Sequence, residues 1–105
     1  MAAVEINQLK RAVEEQHGCT ATLAQAVPVK ETFEGATVWE GVVHVFDLEG
    51  HPKATRAYAW SSPIEGSDKR LFFAVLHIPP VTSPVAAVRA AIVAEHRVHN
   101  DTKRA

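Results

Sequence analysis

The sequence has few of the residues from which small-protein sites are usually assembled. It contains one cysteine, Cys19. One thiol cannot close an internal disulfide, and it excludes a zinc site built from several thiolates. It fits a reducing compartment. No GxSxG string occurs, so a nucleophile elbow has no support, and Ser61-Ser62-Pro63 reads as a turn. The five glycines stand singly, which excludes a glycine-rich phosphate loop. No apolar run approaches the roughly 20 residues of a membrane span. Neither sign of charge is in excess: 11 Lys and Arg face 12 Asp and Glu, for a net charge of -1. A nucleic-acid binder usually carries a clear basic surplus, and an anionic membrane would require one as well. The start, Met1-Ala2-Ala3-Val4-Glu5, lacks the charged-then-apolar pattern of a signal peptide. Cytoplasm is the expected location.

What is present is an ordinary globular composition, 47% apolar and 22% charged over 105 residues. That length suits one domain, residues 1–105, with no internal repeat. Residues 2–17 have helical periodicity: Ala2, Ile6, Leu9 and Val13 share a stripe, opposite Glu5, Gln8, Arg11 and Glu15. Gly18 suits the left-handed stop. From Cys19 the period changes to two, through Ala21, Leu23, Val27 and Val29, and Pro28 marks an edge position or a bend. Glu34-Gly35 is a turn. Further strands are expected at about 38–48, 53–61 and 71–78, the first two joined by the turn string Glu49-Gly50-His51-Pro52. Ser83-Pro84 pairs a favoured N-cap with a favoured first helical residue. The second helix should run to about His99, with Asn100 as its stop and 101–105 as a frayed tail.

The expected fold class is therefore α+β, in the order α-β-β-β-β-α. Short connections favour an antiparallel four-stranded meander with two helices packed on one face.

A sheet covered on one face should alternate apolar with polar residues. The second and fourth strands are apolar on both faces: Val42 and Phe46 against Trp39, Val43 and Val45, then Phe73 and Val75 against Phe72 and Leu76. The third strand sets small Thr55, Ala57 and Ala59 against large Arg56, Tyr58 and Trp60. Helices on the small face would leave Trp39, Arg56, Tyr58 and Trp60 needing cover, and exposed apolar patches mark interaction sites. A second copy of the chain is the simplest cover, because twofold dimers are the commonest oligomers. Loops 27–37 and 61–70 are the competing cover.

The leading expectation is a non-enzymatic, self-associating or protein-binding module that uses this face. The alternative is a small-molecule binding or catalytic domain with its pocket on the same face, Arg56 holding an anionic group and Trp60 an apolar body. A single-stranded RNA or DNA platform is a third reading, disfavoured by the charge balance. The order of elements resembles double-stranded RNA-binding domains. Thr82 to Ala87, at the start of the last helix, lacks their lysine cluster, and the extra strand departs from their pattern.

No cofactor is expected. His96 and His99 share a helix face at spacing three and are the only metal candidates, without a thiol or carboxylate at ligand spacing. Cys19 is read as a buried structural thiol rather than a nucleophile. His44 and His77, both mid-strand, are expected beside polar cross-strand neighbours.

Overall fold

The computed structural model describes the backbone of residues 3–64 and 66–104, and the side chains of residues 5–64 and 66–94. The order is α1 (Ala3–His17), β1 (Thr20–Phe33), β2 (Ala36–Glu49), β3 (Arg56–Pro63), β4 (Arg70–Leu76) and α2 (Pro84–Arg104). The strands form one antiparallel sheet in the order β1-β2-β3-β4, the expected α-β-β-β-β-α meander.

Local chemistry sets the joints. The Gly18 N–H closes α1 on the Glu14 carbonyl at 2.9 Å, with φ at +64°. Glu34 and Gly35 both take positive φ, 52° and 81°, as a two-residue hairpin between Phe33 and Ala36 requires. The Ser83 hydroxyl accepts the Ala86 N–H at 3.2 Å and starts α2. α2 continues to Arg104, past the expected stop at Asn100, since no glycine interrupts it.

The two helices do not share a face. Leu9 and Val13 of α1 pack with Ala21, Phe46, Leu48, Ala57 and Ala59. Ala87 and Val88 of α2 pack with Val29, Val43, Val45, Tyr58 and Trp60, and Ala91 joins them. Neighbouring residues of one strand point to opposite faces, so the sheet lies between the helices. This corrects the one-face arrangement, and side-chain volume explains it. Leu9 and Val13 meet the small Ala57 and Ala59 of β3, while α2 meets Tyr58 and Trp60 with Ala87 and Ala91 beside Val85, Val88 and Ile92. Small residues on one partner of each layer let the larger side chains of the other approach closely. Arg89, the only charged residue between 84 and 94, donates to Glu31 of β1 at 2.7 Å and ties α2 to that strand.

Both sheet edges are guarded. Pro28 sits in edge strand β1 opposite Val42, and the register shifts beside Gln25 and Thr32. On β4, His17 Nε2 hydrogen-bonds the Ala74 carbonyl at 2.8 Å. The His77 N–H bonds Arg56, so alternation turns Ala74 toward the free edge, where His17 covers it.

Candidate functional site

β2 and β3 are registered at four positions only, from His44↔Ala59 to Asp47↔Arg56. Both strands run on past His44 and Ala59, β2 held by β1 and β3 by β4. Their divergence opens a cleft of about 310 Å³. Trp39, Glu40, Gly41 and Val42 wall it on one side, and Ser61, Ser62 and Pro63 on the other. α1 contributes Glu5 and Leu9, β4 contributes Arg70, and His44 sits at the fork.

The missing ladder leaves backbone groups to be satisfied. Leu48 N–H bonds the Thr55 carbonyl at 2.9 Å. Alternation by twos from that pair turns the backbone of Val42 toward β3 and that of Ser61 toward β2. The Ser61 carbonyl instead accepts Arg70 Nη2 at 3.2 Å. Arg70 Nε donates to Ser61 Oγ at 2.8 Å, and that hydroxyl donates to Glu5 Oε1 at 3.0 Å. A guanidinium, a hydroxyl and a carboxylate from three elements are thus linked at the cleft.

His44 is not part of that chain of bonds. It is 2% exposed, and its Nδ1 has no hydrogen-bond partner. Its cross-strand neighbours are Ala26 and Ala59, not the polar groups expected. Burial lowers its pKa below the usual 6.5, with the charge of Glu5 opposing, so the ring is neutral at neutral pH. An unsatisfied buried polar atom costs about 1–3 kcal/mol and calls for an explanation.

The four residues expected to form one outward surface are divided. Trp39 walls the cleft. Trp60 lies beside it in the core under α2, edge-on to Trp39 at 6.0 Å and stacked on Phe73 at 5.2 Å. Gly41 makes room for the Trp39 indole, because a Cβ there would stand 3.0 Å from it. Tyr58 is also buried under α2, its hydroxyl bonded to His77 Nδ1, and burial raises the phenol pKa, with Arg56 opposing. Arg56 lies at the opposite end of the β2–β3 ladder, in an exposed pair with Asp47 at 3.5 Å. The face they were assigned to is occupied by α2, so its apolar residues need no other cover.

His96 and His99 lie outside the described side chains. Among the described residues, no cluster of three or more His, Cys, Asp and Glu suits a metal ion. Cys19 packs against the α1 core, and burial raises its pKa, with Glu14 adding to the rise. His51 Nδ1 accepts the N–H groups of Lys53 and Ala54 and shapes its turn.

A second concavity, apolar and about 710 Å³, lies between the β1–β2 hairpin and α2. Phe33 (68% exposed), Val38 (49%) and Val93 (50%) line it with Ile92.

Sequence reasoning missed Glu5, taken for a solvated helix face, and Ser61, taken for a turn. The one local signal was a histidine within an apolar strand. No helix among the described residues is long and apolar enough to cross a membrane. Comparison with family models, curated proteins and solved structures finds no match to this chain.

Proposed function

We propose that the protein is a non-enzymatic, cytoplasmic small-molecule binding domain whose site is the cleft between β2 and β3. The observation that carries this reading is the unpartnered Nδ1 of buried His44 beside Glu5, Ser61 and Arg70. Binding sites are concave, and they set a few convergent polar groups among apolar walls. Here Trp39, Leu9 and Val42 supply the walls. The Glu5–Ser61–Arg70 chain holds its own side chains in place before a ligand arrives, which lowers the ordering cost of binding. The single free thiol supports the cytoplasmic location.

The test is a fragment screen read by two-dimensional NMR. Saturable shifts at the Trp39 indole N–H, the His44 ring and the Val42 and Ser61 amides support the reading. A diverse library that leaves these signals unmoved ends it.

A second reading, self-association, rests on the exposed cluster of Phe33, Val38 and Val93. With both sheet edges guarded, a second copy would dock on this groove rather than extend the sheet. Light scattering behind a sizing column should then give twice the monomer mass, and Val93→Glu should restore the monomer. A monomeric wild type at high micromolar concentration refutes it.

A further inference from the structure

Resting on the reading of the cleft as a binding site, we propose that its ligand is a short extended peptide that pairs through its main chain with β2 and β3. Strand register decides where the backbone groups go. Counted by twos from the Leu48–Thr55 bond, β2 turns its even-numbered residues to β3, and the pairing stops at His44. Beyond it, the N–H and C=O of Val42 and Glu40 open into the cleft. Pro28 of β1 stands opposite Val42. A residue without an N–H suits a pair that exchanges no bonds, so β1 makes no claim on the Val42 backbone. On β3, the His77 N–H bonds the Arg56 carbonyl, which assigns even-numbered residues to β4 and Ser61 to the cleft. The Ser61 carbonyl is taken by Arg70 Nη2, and its N–H is left open. Pro63, two residues on, has no N–H to give.

The cleft is therefore a sheet edge inside the sheet. A row of unpaired N–H and C=O groups is a template for another chain. Paired strands stand about 4.8 Å apart, whereas about 310 Å³ of space separates these two past His44. In an extended chain one residue sends its N–H and C=O to one side, and its neighbours send theirs to the other. One inserted residue would exchange two bonds with Val42, and the carbonyl before it would accept the Ser61 N–H. Strand addition of this kind draws affinity from main-chain bonds and selectivity from side-chain pockets. Leu9, Trp39 and Val42 line the cleft and favour an apolar side chain. The volume is near the lower end of ligand sites and admits a few residues rather than a folded partner.

The experiment titrates the whole chain with N-acetyl-L-leucine N′-methylamide, which carries all three pairing groups around one apolar residue. Its control is the isosteric ester, with oxygen in place of the leucine N–H. Backbone amide shifts and hydrogen exchange are read by NMR. The expected result is saturable shifts and slowed exchange at Val42 and Ser61 with the amide. The ester should bind at least tenfold more weakly, because the Val42 carbonyl loses its donor. Equal binding of amide and ester overturns main-chain pairing and leaves the cleft as a site for another class. Shifts confined to the outer strands β1 and β4, or silence at Val42 and Ser61 up to the solubility limit, overturn it too. The cleft itself then falls only if the fragment library is silent as well.

Discussion

Replacing His44 by leucine should stabilise the protein while abolishing ligand binding. Truncating or exchanging a fully buried side chain normally costs stability. Here the wild-type ring contributes an unsatisfied Nδ1 between two alanines, Ala26 and Ala59. Removing it relieves about 1–3 kcal/mol of desolvation. Leucine fills a similar volume, and imperfect repacking returns up to about 1.5 kcal/mol. The net expectation is a gain of about 1 kcal/mol, or about 4–8 °C in Tm for a domain of this size. Urea denaturation with an unchanged slope measures it directly. The pH dependence supplies an independent check. The folded pKa of His44 lies below its unfolded value of 6.5. The unfolded chain therefore binds the extra proton first, and this residue costs stability as pH falls below about 6.5, until the folded pKa is passed. Charged Glu5, Glu40 and Arg70 line the same cleft, and only Glu5 opposes the shift appreciably. His44→Leu should flatten that part of the profile. A loss of more than about 1 kcal/mol, or an unchanged acid limb, would mean the ring has a partner, and the reasoning would fail.

Other substitutions test the packing. Tyr58→Glu should unfold the domain rather than change its mass in solution, because it buries an unpaired charge beneath α2 at a cost of several kcal/mol; a folded variant by circular dichroism would contradict the placement of α2. Phe46→Ala, at a fully buried site against α1, should cost about 3–5 kcal/mol in denaturant titration. Ser83→Ala should cost about 1 kcal/mol by removing the cap of α2, with Ser83→Asp restoring it. Gly41→Ala should cost about 1–3 kcal/mol and alter tryptophan fluorescence, because the added methyl presses on the Trp39 ring.

The order of elements was legible because each joint carries local chemistry: Gly18, Glu34-Gly35 and Ser83-Pro84 act within a few residues of themselves. Pro28 indicated an edge position or a bend, and β1 is an edge strand. The assignment of helices to faces was not legible. Two-sided apolar strands state only that both faces are covered, and a second copy, loops or α2 satisfy that equally. The alanine ridge of α2 was ambiguous for the same reason, since alanine tolerates water and also fits against Trp60 and Tyr58. The cleft was invisible because a ladder that stops after four pairs is a property of two strands together. Its polar groups come from far apart in the chain, as the bond between Ser61 and Glu5 illustrates.

The most direct test of the account is native-state amide exchange along β2 and β3. It predicts fast exchange at Val42 and Ser61, slow exchange at Phe46 and Ala57, and slower exchange at the first pair once a cleft ligand is bound. Val42 and Ser61 protected as strongly as Phe46 in the free protein would mean that the two strands zip together, and there would be no cleft to fill.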